Sequence, residues 1–251
     1  MTALRLRIAH LYPRLMNLYG DRGNIVCLVR RCRERGIEVE VTELGLGDRF
    51  DPDAHDLAFI GGAQDREQRR VADDLRSVKG DALREAVEAG AVALAVCGGY
   101  QLFGRFYREA SGEELAGLGV FDLWTEHPGP DAPRLIGNVV AGWRDEPGVT
   151  LVGFENHGGR THLGDGAAPL ATVRSGHGNN GRDGTEGARY RNAFGTYLHG
   201  SLLPKNPRFA DRLIELALRR RYGDGVSLTP LDDRVEAAAH DAALRLVGGR
   251  R

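Results

Sequence analysis

The chain has 251 residues, 41% hydrophobic and 27% charged, with 34 basic and 35 acidic side chains and a formal net charge of -1. That balance leaves no electrostatic footprint for nucleic acid or an anionic membrane surface, and no window approaches the ~18 apolar residues of a membrane-spanning helix. The start, M-T-A-L-R-L-R-I-A-H, lacks the apolar run and cleavage site of a secretory signal. The expectation is therefore a cytoplasmic protein, not a membrane protein, forming a single domain over residues 1–251.

The first predicted strand is Leu4–Leu11, followed by Y-P-R-L-M-N-L-Y-G-D-R-G-N. A helix from Asn24 to Arg35 comes next, closed by Gly36. Cys27 and Cys32 fall in its apolar pattern and read as packed thiols rather than a disulfide or metal pair. I-E-V-E-V-T (Ile37–Thr42) and H-D-L-A-F-I (His55–Ile60) are strands, the second ending on Gly61-Gly62. A polar, helix-forming segment, Gln64–Glu88, leads to the apolar strand Ala91–Val96, then Cys97 and a short helix from Gly99. This alternation predicts an α/β fold with a parallel sheet covered on both faces.

The second half changes texture. Short strands at Arg134–Val140, Leu151–Glu155, Leu170–Val173 and Ala193–Leu198 are separated by turn signals. G-H-G-N-N-G-R-D-G-T-E-G carries Asn180-Gly181 and Asp183-Gly184, dipeptides suited to positive φ. With no Lys-Ser/Thr after it, the stretch is a loop or hairpin rather than a phosphate cradle. Helices over Asn206–Tyr222 and Arg234–Val247 complete the order, with Pro207 suited to a first helical turn.

One residue has an unusual address. Ligands of parallel sheets bind beyond the carboxyl ends of the strands, and Cys97 stands on the sharp turn there, beside two glycines. That corner thrusts a nucleophile outward, supplies an N–H from the following residue, and lets a helix start favour the thiolate. A nucleophile needs a base. His199 closes A-F-G-T-Y-L and is followed by Gly200, so it too ends a strand and opens on the same side of the sheet. A cysteine and a histidine joined in space are suited to acyl transfer. His157 and His177 are competing histidines, and His157 and His162 have no acid or cysteine at metal-ligand spacing.

At these residues the chain resembles a known family. C-G-G-Y-Q, with Cys97, Gly99 and Gln101, is similar to the Cys-x-Gly-x-Gln signature of class I, triad-type glutamine amidotransferases; F-I-G-G resembles their oxyanion loop and Y-L-H-G their histidine strand. The likeness covers roughly Arg5 to Tyr222. N-L-Y-G-D-R-G-N, I-G-G-A-Q-D-R-E, G-F-E-N-H-G-G-R-T, G-N-N-G-R-D-G-T-E-G and G-T-Y-L-H-G-S-L-L-P-K-N-P resemble, more narrowly, the small glutaminase subunits of lipid II isoglutaminyl synthases, related to the amidotransferase domain of cobyric acid synthase.

The resemblance implies a flavodoxin-like, mostly parallel sheet with short antiparallel strands added in the second half. It implies that Cys97 attacks the side-chain amide of L-glutamine, that His199 protonates the departing ammonia and activates water, and that the N–H groups of Gly62 and Gly98 hold the oxyanion. Gln101 would contact the bound glutamine. Its α-carboxylate calls for a fork-shaped cation, with Arg134 the candidate and Arg160 the rival. Asn156 and His157, placed just past the strand L-V-G-F-E, either line this pocket or cap a turn.

The sequence departs from the wider family at the residue two after the histidine, where an acid is replaced by Ser201. Either Glu155 or a partner protein would then orient His199, and the partner is the expectation, with weak activity alone and strong activity in complex. No cofactor is expected in this chain: it has no G-x-x-x-x-G-K-[ST] and no G-x-G-x-x-G opening a helix. ATP and Mg are expected on a Mur-ligase-like synthetase subunit, forming a heterodimer that amidates the D-glutamate of lipid II in peptidoglycan synthesis. Because the chain opens on its first strand without a fused synthetase, a two-subunit enzyme is favoured. The alternatives are an amidotransferase for a cobyrinate-type or other carboxylate, a non-catalytic scaffold subunit, and a cysteine peptidase.

Overall fold

Alternation in R-L-R-I-A-H-L makes Arg5–Leu11 a strand, β1, in the computed structural model, which describes residues 4–248. A short 3-10 turn, Leu18–Gly20, precedes helix α1, Arg22–Arg33, whose apolar side packs inward through Ile25, Cys27, Leu28 and Cys32. β2 (Glu38–Leu44) and the fully buried β3 (Leu57–Ile60) follow. The expected long helix is divided into α2 (Asp65–Asp74), a wide π-type turn (Leu75–Lys79) and α3 (Gly80–Glu88). The wide turn carries Lys79 inward, where its buried ammonium meets Asp74 Oδ2 at 2.5 Å over the Tyr12 ring. Buried β4, Val92–Val96, then runs into Cys97 and α4, Gly98–Leu102.

Three short strands that no sequence pattern announces come next: β5 (Phe106–Arg108), β6 (Glu114–Ala116) and β7 (Leu123–Glu126). They are followed by β8 (Leu135–Trp143), β9 (Thr150–His157) and β10 (Arg160–Leu163). β9 is longer than predicted, so Asn156 and His157 belong to the strand rather than to a turn beyond it. β11 (Ala171–Ser175), β12 (Thr185–Glu186), β13 (Ala188–Tyr190) and β14 (Ala193–Thr196) precede α5 (Pro207–Tyr222) and α6 (Arg234–Gly248).

Among the described residues, the main sheet has the order β13-β14-β4-β3-β1-β2, parallel throughout except for the β13–β14 hairpin at its edge. Two smaller sheets, β10-β7-β5-β6 and β12-β11-β8-β9, are largely antiparallel. The fold is thus the expected α/β architecture with antiparallel additions. β4 and β14 are central neighbours, and their carboxyl ends open on one rim.

Candidate active site

β4 and β14 pair with Val96 beside Thr196, so the residues after each emerge together. The Cys97 amide still donates to the Thr196 carbonyl at 2.8 Å, but its backbone then swings to φ 49°, ψ −106° before α4 begins. Holding a non-glycine residue there costs about 1–3 kcal/mol. The two glycines after it are required by packing: a Cβ on Gly98 would stand 3.0 Å from Ala63 N, and one on Gly99 would stand 2.7 Å from Ile60 Cγ2.

His199 lies three residues past β14. Its backbone is paired with Phe154 of β9, His199 N–H donating at 2.8 Å and its carbonyl accepting at 3.3 Å, and its ring is fully buried. Thiol and imidazole converge on Gly62: a Cβ there would lie 2.6 Å from His199 Cε1 and 3.2 Å from Cys97 Cβ. Both side chains therefore border the space that a methyl on Gly62 would fill. His199 Nε2 has no hydrogen-bond partner among the described residues, leaving it open to the thiol proton; such bonds often tighten only when substrate arrives.

The other ring nitrogen is held from within the chain. His199 Nδ1 faces Asp21 Oδ1 at 3.2 Å, with both side chains fully buried. The carboxylate that meets His199 is thus that of Asp21, from N-L-Y-G-D-R-G-N, and not that of Glu155. Glu155 accepts the N–H groups of His177 at 2.6 Å and Gly178 at 2.9 Å, pinning the glycine-rich loop. The expected need for a partner's acid falls away with this contact. Ser201 acts on the backbone instead. Its Oγ donates to Gly20 O at 2.9 Å, fixing the turn before Asp21, and a Cβ on Gly23 would fall 2.1 Å from that oxygen.

Burial is the largest influence on the His199 pKa and would lower it. The Cys97 charge and the Asp21 hydrogen bond act the other way and together outweigh it, raising the pKa from 6.5 to about 10. The pocket therefore favours the imidazolium.

The Gly62 N–H, expected in the oxyanion hole, instead donates to Asp21 Oδ2 at 2.7 Å. The reason is the buried carboxylate, which needs a donor on its second oxygen. The next amide is free: among the described residues neither the Ala63 N–H nor the Gly98 N–H has an acceptor, and the two approach each other across the Gly98 Cα.

A cavity of about 360 Å³ opens from Cys97, with Tyr19, Asp65, Gln68, Tyr107 and Arg134 on its walls beside Ala63, Gln101, Asn156 and His157. Arg134 donates through Nε to Asn156 Oδ1 at 2.8 Å and through Nη2 to Asn156 O at 2.9 Å, so Asn156 aims the guanidinium. Arg160 does not line the cavity; it donates to the carbonyls of Gly158 at 2.7 Å and Pro133 at 2.6 Å. Gln101 donates to Tyr197 OH at 3.2 Å and accepts from Gln68 Nε2 at 3.1 Å. His157 stacks flat on Tyr197, with centroids 3.6 Å apart, and burial lowers its pKa. Tyr19, at φ 52°, packs crosswise on the His199 ring with centroids 5.1 Å apart, and its phenol oxygen accepts Asn156 Nδ2 at 2.5 Å.

A strained cysteine facing a carboxylate-backed histidine at the rim of a parallel sheet is the arrangement of the glutamine amidotransferases. The chain belongs to the CobB/CobQ-like glutamine amidotransferase domain family, which matches residues 7–207. It is 42% identical over 229 residues to the Streptococcus pneumoniae lipid II isoglutaminyl synthase (glutamine-hydrolyzing) subunit GatD, covering 91% of this chain and 86% of that one. The Staphylococcus aureus GatD subunit is 42% identical over 236 residues, covering 93% of each. The cobyric acid synthase of Pelotomaculum thermopropionicum is 33% identical over 186 residues, 68% of this chain but 34% of that one. Among solved structures, a glutamine amidotransferase shares the fold at TM-score 0.56 and 15% identity, over 83% of this chain and 98% of the other. The glutaminase domain of Trypanosoma brucei CTPS does so at TM-score 0.54 and 13% identity, over 86% and 95%.

Proposed function

We propose that the chain hydrolyses L-glutamine through a thioester on Cys97 and hands the ammonia to an ATP-dependent, Mur-ligase-like partner that amidates the D-glutamate of lipid II. The observation that carries the hydrolytic half is the convergence of Cys97, His199 and Asp21 beside the cavity that holds Arg134.

The chemistry runs as acyl transfer. With the thiol proton already transferred to His199 Nε2, the thiolate adds to the side-chain amide carbon, and the N–H groups of Ala63 and Gly98 receive the oxygen charge. Such a donor is typically worth about 10²–10³ in rate. Imidazolium then gives its proton to the leaving nitrogen, and the C–N bond breaks to release ammonia. Water, deprotonated by the same nitrogen, attacks the thioester, and glutamate leaves as the thiol re-forms. Asp21 keeps the proton on Nδ1 throughout, so that Nε2 is the working atom. Gln68 Oε1, buried beside the cavity and without a donor among the described residues, is an acceptor for the amide N–H of the substrate.

The lipid II reading is supported by relatives at 42% identity matched over nearly their whole length. The cobyric acid synthases, matched over about a third of theirs, support a corrinoid acceptor less well. An ATP-dependent acceptor reaction places the pair in the cytoplasm, and among the described residues no helix is long and apolar enough to cross a membrane.

The test combines the chain with its synthetase partner, ATP, lipid II and L-glutamine. Wild type should yield amidated lipid II and glutamate in equal amounts, and Cys97→Ala should lose both while free ammonia restores amidation. Amidation from glutamine that survives Cys97→Ala would overturn the proposal.

A further inference from the structure

A glutamine pocket must receive three groups: the amide, the α-carboxylate and the α-ammonium. Cys97 and its surroundings face the first, and Arg134 offers a cation to the second. Among the described residues on the cavity wall, Asp65 is the only carboxylate and Arg134 the only guanidinium.

The two charges share the wall of one cavity. A Cβ on Gly158 would lie 3.4 Å from Arg134 Nη1, the guanidinium nitrogen that Asn156 does not use, and one on Gly159 would lie 3.5 Å from Tyr107 Cε2. The Tyr107 phenol donates to Asp65 Oδ1 at 3.1 Å, so consecutive glycines have Arg134 beside one and the holder of Asp65 beside the other. Tyr107 is buried, and burial raises its pKa, which keeps the phenol a donor. Asp65 forms no ion pair among the described residues. Arg69, one helical turn further along α2, is committed to Glu109 and Glu113. A part-exposed anion at the wall of the cavity, held at one oxygen by Tyr107, leaves its other oxygen available to a cation that a ligand brings.

Resting on the glutaminase reading, we propose that Asp65, positioned by Tyr107, accepts the α-ammonium of the substrate, so that Asp65 and Arg134 together select a free α-amino acid. Asp65 also stands in the first turn of α2, where a carboxylate favours the helix. That structural role predicts no preference among substrates.

The experiment measures ammonia release by the full chain with its partner, for wild type and Asp65→Asn, on L-glutamine, on glutaramate, which lacks the α-ammonium, and on 4-aminobutanamide, which lacks the α-carboxylate. Asp65→Asn should raise the KM for L-glutamine about 10–100-fold with kcat within about 3-fold, as expected for one charge-assisted hydrogen bond. The wild-type preference for L-glutamine over glutaramate should collapse, while the preference over 4-aminobutanamide persists. Equal losses on all three substrates, or an unchanged KM for L-glutamine, would overturn the assignment. If wild type releases no ammonia from L-glutamine, it is the glutaminase reading that fails. Calorimetric binding of L-glutamine and glutaramate to the same two proteins then decides the subsite, with equal affinity of wild type for both ligands counting against it.

Discussion

Gly62 shows how little room the proposed catalytic pair has. Thiol and imidazole both border the space left by its missing side chain, and a methyl there would press on His199 Cε1 at 2.6 Å. Gly62→Ala should therefore displace the ring and lower glutamine kcat/KM by about 100-fold or more, at a cost of about 1–3 kcal/mol in stability. Steady-state kinetics beside urea unfolding would separate the two effects, and an active variant would mean that the ring lies elsewhere. At this scale the sequence was partly legible. C-G-G-Y-Q and Y-L-H-G announce Cys97 and His199 because a strand that ends on a reactive side chain is a local pattern. Asp21 was not legible in that way: its role depends on a contact with a residue 178 positions away, and in its own neighbourhood it is one acid in a polar turn. Asp65 was hidden for the same reason, as an ordinary first-turn acid of a polar helix.

Among the elements, β12 carries a second buried acid. Glu186 on β12 accepts from Thr196 Oγ1 at 2.5 Å and from Tyr197 N–H at 2.9 Å, which ties the end of the histidine strand to the edge of another sheet. Full burial raises its pKa from 4.5 to about 7 against the pull of those donors. A carboxyl whose pKa is raised by folding contributes stability below its unfolded pKa of 4.5, and that contribution is lost as pH rises through about 7. Glu186→Gln keeps an acceptor and removes the titration. Relative to the variant, wild type should lose roughly 3 kcal/mol of unfolding free energy between about pH 4 and pH 8, measured by urea titrations; parallel profiles would contradict this. The larger elements were legible because β1, β3, β4 and α5 carry unbroken apolar or periodic runs. β5, β6, β7, β10, β12 and β13 were not, since strands of two to four residues take their pairing from the rest of the fold rather than from their own pattern.

Across the whole molecule, the site is assembled from segments far apart in sequence. The 3-10 turn before α1 brings Asp21, the ends of β4 and β14 bring Cys97 and His199, and the antiparallel sheets bring Arg134, Asn156 and His157. The parallel sheet that makes this possible was legible from the alternation of strands and helices. The completion of the triad within the chain was not, because the position where an acid was sought holds Ser201, which instead braces the turn that delivers Asp21.

The central claim is that Asp21 governs His199, and the pH dependence of glutamine hydrolysis tests it most directly. In Asp21→Asn the amide oxygen still accepts the Gly62 N–H, but the amine then faces His199 Nδ1 and imposes the wrong tautomer. Because the Asp21 hydrogen bond and charge add to the larger effect of the Cys97 charge in raising the His199 pKa, the variant should lose about 10²–10⁴-fold in kcat, with its alkaline limb moved to lower pH. A variant with wild-type kcat and an unmoved alkaline limb would show that the orienting acid lies outside this chain.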